Sequence, residues 1–488
     1  MASSKQPKDL YLIHMAIGIG IMVLFRFLPL NLPHVTETGM EILGIFIGTL
    51  YLWSTSDPVW SSILAIFMTG LSGYADMNTV LTATFGTPIL VQVFFLLIII
   101  NCLIENNLTE YCGRFFLTRK ICTGRPWAFT FFIMLGCMLM GAFMGGFTPV
   151  FLFWPILYDI FQTVGMKPYE KYPTIMMILV IIATLLGFPI PPFMGNGLAL
   201  ISNYKTVTSN MGQEIIINDA GYLAVGLTHA IICIVLIILF CKFVLRPDTS
   251  RLKSITPELL DRNPLPPMTF RQKLIGLSFA VFICILLIPS VAPSTTLGAY
   301  IKTNTYGISL GYTFLLCAIR IDKKPLLNFA QTMRRFSWGT YFLIGSAILL
   351  GNALTSDVTG ISPFLNTILM PIFEKVPTSL FAIIIMLFTV ALTNVCNSFV
   401  IGILLQPVIA AFCLATGTNS MPIVAMMILF VLSSAAITPA ASPFAALMFG
   451  NKEWIKSGDA YKYSSMFVVI ELVVVLLCSL PLATFLLS

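Results

Sequence analysis

Thr438-Pro439-Ala440-Ala441-Ser442-Pro443-Phe444 interrupts an apolar run with two prolines and two hydroxyl residues, and Asn397-Ser398-Phe399, followed by Pro407, breaks the apolar run before it. The first half of the chain carries a matching pair. Gly145-Gly146-Phe147-Thr148 is followed by Pro155, and then comes Phe188-Pro189-Ile190-Pro191-Pro192-Phe193. The interval from Pro155 to Pro192 equals that from Pro407 to Pro443 to within one residue. Proline or glycine inside an apolar helix frees backbone N–H and C=O groups that hydrocarbon cannot pair. Such breaks persist at membrane depth only where protein or a wet cavity satisfies them, and matched breaks in two halves point to a solute site between the halves.

The rest of the chain fits that setting. Its 488 residues are 58% hydrophobic and 10% charged, with a mean hydropathy of +0.94, whereas soluble domains carry roughly 25% charged residues. This is the composition of an all-α polytopic protein of the lipid bilayer. Met1-Ala2-Ser3-Ser4-Lys5 leads into an apolar run without a small-residue cleavage site, which reads as a retained first span. The cysteines, such as Cys102, Cys137 and Cys478, lack paired spacing and read as small core residues, so neither a disulfide framework nor a metal site is expected. The net charge of +7 comes from short loops between spans and bears on orientation; no nucleic-acid partner is expected.

Crossing about 30 Å of hydrocarbon takes about 20 helical residues. Runs of that kind predict about eleven transmembrane helices near 10–29, 41–55, 58–72, 85–104, 173–203, 221–246, 273–290, 305–319, 336–353, 421–450 and 463–487. The kinked regions 127–165 and 377–415 are each either two spans or one re-entrant hairpin. The hairpin reading makes the fold two inverted-topology repeats. The first, 1–246, holds scaffold spans 10–104, hairpin 127–165, broken helix 173–203 and span 221–246; the second, 273–488, holds scaffold spans 273–353, hairpin 377–415, broken helix 421–450 and span 463–487. The proline-rich and charged stretch 247–272 is the cytoplasmic linker. With the N-terminus inside and the C-terminus outside, only Arg26, Lys205, Lys302 and Lys375 of the 27 basic residues fall near the outer side, which satisfies the positive-inside rule. Loop charge gives the same answer for a hairpin and for a pair of spans, so the hairpins rest on the kinks and the repeat.

At this point the sequence resembles the divalent anion:sodium symporter family, within the wider ion transporter superfamily. Cys396-Asn397-Ser398 stands where the family has its Ser-Asn-Thr hairpin tip, Pro407 follows, and Ala441-Ser442-Pro443-Phe444-Ala445-Ala446-Leu447-Met448-Phe449-Gly450 aligns without a gap to Ala-Thr-Pro-Pro-Asn-Ala-Ile-Val-Phe-Gly. Trp338-Gly339 and the turn from Gly351 to Gly360 are also similar. The first half departs, since its tip reads Met144-Gly145-Gly146 and its break reads Gly187-Phe188-Pro189 where the family has Gly-Thr-Pro; in the second half Ala445 replaces the family's asparagine. The resemblance implies a homodimeric carrier in the plasma membrane whose hairpin tips and broken helices move against a scaffold. It implies a small organic anion, a di- or monocarboxylate, as substrate, and Na⁺ as a candidate coupling ion without any other cofactor. The substrate-binding candidates are Gly145, Gly146, Thr148, Pro191, Asn397, Ser398, Thr438 and Ser442; the candidate sodium ligands are Asn397, Ser398 and Ser442. With the first-half ligands missing, the usual two-sided sodium arrangement does not carry over, and exchange or another coupling ion stays open.

The same residues admit other functions. An arsenite, sodium/proton or aminobenzoyl-glutamate type carrier would share these breaks. A membrane enzyme needs convergent His, Cys, Asp or Glu, which three histidines without metal spacing do not supply. A channel needs a continuous polar lining. Asp159, Glu471, His14 and His229 lie in or near apolar runs, where an ionisable group is a functional candidate by default. Against that, Asp159 and Glu471 are also compatible with helix ends, and His229 with simple packing.

Overall fold

The computed structural model describes residues 8–213, 215, 218–254, 265–292, 294–361, 363–364, 367 and 376–487. Among the described residues the regular structure is helical except for a two-residue strand pair, Arg320–Ile321 with Lys324–Pro325, around the left-handed Asp322 and Lys323. The first helices are α1 (Lys8–Leu24), α2 (Glu37–Thr55), α3 (Pro58–Leu71), α4 (Met77–Phe85), α5 (Pro88–Glu105) and α6 (Leu108–Leu117). The predicted span 85–104 is therefore only α5. Thr87-Pro88 cuts it from α4, because proline is tolerated at the first helical position and not further in.

Next comes a helical hairpin of α7 (Pro126–Phe143) and α8 (Thr148–Thr163), then a broken helix of α9 (Lys171–Gly187) and α10 (Gly195–Asn210). The predicted end at 203 falls short: polar residues continue α10 to Asn210, since Ser202, Asn203 and Thr208 are buried by neighbouring helices. α11 (Asp219–Phe240) closes this half, and the linker follows. Residues 255–264 of the predicted linker lie outside the described ones, but its start is anchored by Arg251, which bonds Glu170 at 2.6 Å and the Gly165 carbonyl at 2.5 Å.

The second half runs α12 (Phe270–Val291), α13 (Thr296–Ala318), α14 (Phe329–Met333) and α15 (Trp338–Thr355). α12 starts in a capping box between Thr269 and Gln272. α13 begins nine residues before the predicted 305, with Thr295 as its N-cap, so Lys302 is helical. Another hairpin, α16 (Thr378–Thr393) and α17 (Ser398–Thr416), precedes a second broken helix, α18 (Met421–Ser433) and α19 (Pro443–Gly450). α20 (Ser457–Val474) continues through a wide turn at 475–479 into α21 (Leu480–Leu486).

Six helices among the described residues are long and apolar enough to cross a membrane. Large apolar side chains are exposed on α12, α13 and α20–α21, for example Val291 at 74% and Phe485 at 82%, as lipid contact requires. By contrast every residue of α18 is buried, and so is every residue of α9 after Lys171. Met176, Met177, Met426 and Met427 all belong to that core. α7 and α9 touch backbone to backbone. A Cβ on Gly141 would stand 2.7 Å from the Thr184 carbonyl oxygen, and one on Gly187 would overlap that of Met138. Small residues permit such approach where apolar lipid offers no hydrophobic drive for helix association.

Candidate functional site

The first hairpin turns at Met144–Phe147. Met144 N–H closes α7 onto the Met140 carbonyl at 2.8 Å, Gly145 takes φ +94°, and Thr148 N–H bonds the Gly145 carbonyl at 3.2 Å. Only glycine adopts that φ without strain. Gly146 is buried: a Cβ there would lie 2.7 Å from Phe444 Cε1 and closer still to Cζ. Phe147 and Phe188 both pack on the Phe444 ring, with centroids at 4.6 and 5.3 Å. The first tip, the first break and the start of α19 thus meet in an apolar cluster of three rings. Thr148 does not face it as a free donor, since its hydroxyl donates to the Met144 carbonyl at 3.0 Å.

The second tip is polar. Asn394, which the sequence reading passed over, donates from Nδ2 to the Val390 and Ser434 carbonyls at 2.8 and 3.1 Å and accepts from Ile437 N–H at 2.9 Å. Thr438 Oγ1 donates to the Asn394 carbonyl at 2.6 Å. One asparagine therefore ties hairpin to break. Asn397 caps α17 by accepting from Phe399 N–H at 3.0 Å, and Ser398 N–H donates to the Ala441 carbonyl at 3.1 Å. Ser442 Oγ donates to Ala435 O at 2.6 Å and accepts from Ala445 N–H at 3.1 Å, which stitches the two ends of the break and caps α19. Ser442→Ala should cost about 1–2 kcal/mol. Thermal unfolding of the detergent-purified protein measures it, and a variant as stable as the unmodified chain would contradict this double role.

The first break, Phe188–Met194, is held from the opposite side. Tyr222 Oη donates to the Pro189 carbonyl at 3.1 Å, and the Pro189 and Pro191 carbonyl oxygens lie within 2.9 Å of where a Gly197 Cβ would be. Pro191 itself is buried there, and its carbonyl faces the first turn of α10. Asn196 is half-buried in that turn. Across the molecule Asn203 donates to Gln406 at 2.6 Å, and Gln406 donates to the Leu200 carbonyl at 2.8 Å, so the second hairpin grips the first broken helix.

Both tips converge on the break 434–442 and the start of α19. Of the eight sequence candidates, Gly146 contacts Phe444 there, Ser398, Thr438 and Ser442 are linked within it, and Asn397 adjoins it. Gly145 and Thr148 stay on their own turn and Pro191 on the first break. Although this segment sits between buried helices, its Pro439, Ala440, Pro443 and Ala446 are exposed. No residue from 434 to 450 carries a charged side chain. Asn394 was legible in principle, as the first amide in the apolar run 377–415.

A model of the citrate transporter family matches residues 17–431. The chain belongs to that family. It is thus a membrane transporter, in agreement with the resemblance drawn from the hairpin and break motifs. The sodium-dependent high-affinity dicarboxylate transporter 3 of Caenorhabditis elegans is 25% identical over 230 residues, which are 43% of this chain and 40% of that relative. The match therefore spans less than half the length of that protein. The YdaH transporter of Alcanivorax borkumensis, described as having an unusual topology, superposes with a TM-score of 0.60 at 13% identity over 93% of this chain and 98% of that one. At that identity the likeness concerns the fold.

Proposed function

We propose that this citrate-family transporter moves a small organic anion, a di- or monocarboxylate, by alternating access, coupled to an ion or by exchange. The observation that carries the reading is the convergence of both hairpin tips on one helix break and the start of the helix after it, 434–444. A carboxylate there meets the N-terminal ends of α17 and α19, whose dipoles favour negative charge without the cost of burying an arginine. Weak, uncharged holding also suits a solute that must leave. The dicarboxylate relative's name supports this substrate class over an inorganic anion.

In this reading residues 1–246 and 273–488 are inverted repeats joined by the cytoplasmic linker 247–272. The N-terminus is cytoplasmic, the C-terminus is outside, and the protein works as a homodimer in the plasma membrane. Asn397, Ser398 and Ser442 supply oxygens for one Na⁺ at the second tip. The three-ring cluster at the first tip supplies none, so a two-sided sodium arrangement is not proposed. Purified protein in proteoliposomes, tested with radiolabelled di- and monocarboxylates with and without Na⁺ and a pH gradient, is expected to show saturable uptake and counterflow. Conduction far above carrier turnover, or no counterflow with any anion of the panel, would overturn the proposal.

A further inference from the structure

Away from the tips, the buried interior holds an acid and a base, Glu471 and His229. Glu471 lies near the middle of the helical stretch Ser457–Leu486, and His229 lies mid-way along Asp219–Leu245. Each is 1% exposed. The sequence admitted a helix-end position for Glu471; the structure puts it in the interior instead, with His229 Nε2 at 3.5 Å from Oε1. His229 Nδ1 pairs with Ser479 Oγ at 2.9 Å. Glu471 Oε1 also pairs with Ser433 Oγ, whose second neighbour is the Leu429 carbonyl at 2.8 Å. Titratable groups on the elements around them include Cys233 on α11, whose Sγ is 3.8 Å from the His229 ring nitrogens, Cys137 on α7, and Arg271, Lys273 and Cys284 on α12, while Cys478 in the 475–479 turn lies near Cys233. α18, α19 and α21 carry no titratable residue, and α9 has only Lys171 and Tyr172, both in its first turn.

We propose that the Glu471–His229 pair is a proton-binding site that couples proton movement to the anion transport proposed above, on which this inference rests. A net charge so deeply buried is costly, so the pair keeps one proton between carboxylate and imidazole while it is shut off from water. Releasing that proton requires an opening to one side. Ser433 supplies the mechanical link. Its single hydroxyl proton goes to Glu471 when the carboxylate is ionised; when Glu471 is protonated, the acid donates to Ser433, which turns its own proton to the Leu429 carbonyl. Ser433 ends α18, and the next residue, Ser434, is the one whose carbonyl Asn394 holds. Protonation thus acts on the last turn before the break gripped by the second tip. The proton enters from water on the side to which the site is open and leaves to water on the other side after the swing, with no other bond changed.

The test uses the full chain in proteoliposomes and the panel anion with the fastest counterflow. An inward gradient of about 2 pH units supports up to about 100-fold accumulation for one proton per anion. The unmodified protein should show gradient-driven accumulation, and Glu471→Gln should lose it, with counterflow no longer varying with pH. Gradient-driven accumulation retained by Glu471→Gln, or missing from an unmodified protein that performs counterflow, overturns the coupling while leaving the transport reading standing. If Glu471→Gln does not fold, Ser433→Ala decides: a shifted pH profile of counterflow supports the site and an unchanged profile refutes it.

Discussion

Asn394→Ala is expected to lower uptake by at least about 100-fold, equivalent to about 2.7 kcal/mol. The amide makes bonds to Val390, Ser434 and Ile437, and its own carbonyl receives Thr438, so the hairpin and the break behave as one piece. Truncation leaves the Ile437 N–H and the Ser434 carbonyl without their partner in the interior, at about 1–3 kcal/mol for each unsatisfied group. Asn397→Ala should abolish uptake as well, through the lost α17 cap and the lost oxygen beside the break. Cys478→Ala, an exposed position in the 475–479 turn, should leave uptake unchanged. Initial rates normalised to reconstituted protein check all three, and equal activity of the asparagine variants and Cys478→Ala would remove the second tip from the transport path.

Gly146→Ala should be the most damaging change at the first tip, and Phe444→Ala should partly repair it. The added methyl overlaps a ring held between Phe147 and Phe188, which leaves little room to yield. Overpacking of this sort costs about 1–3 kcal/mol. If the overlap is the cause, the double variant recovers part of the loss, with a coupling of about 1 kcal/mol or more in a double-mutant cycle on stability and uptake. Strictly additive effects would mean that Gly146 matters for its backbone alone.

The membrane setting was legible because composition acts residue by residue: 58% hydrophobic and 10% charged admits no soluble core. The hairpin and break positions were legible as well, since proline and glycine act through their own backbone, whatever surrounds them. Boundaries were read less well. α10 runs on to Asn210 and α13 starts at Thr296 because neighbouring helices bury polar residues that a hydropathy window counts as loop. The same limit hid Asn394, whose work depends on carbonyls about forty residues along the chain, and it left Glu471 undecided between interface and interior.

The amino-acid sequence by itself therefore determined that this chain is helical, crosses the bilayer many times, and carries four interruptions in two matched pairs. Only the tertiary structure decided that both tips meet at residues 434–444, that the first tip is closed by aromatic rings while the second is stitched by amides, and that Glu471 faces His229. The physical reason is range. Backbone breaks and hydrophobicity are local properties of a residue, whereas the partner that satisfies a buried amide, ring or carboxylate is supplied by helices far away in the chain.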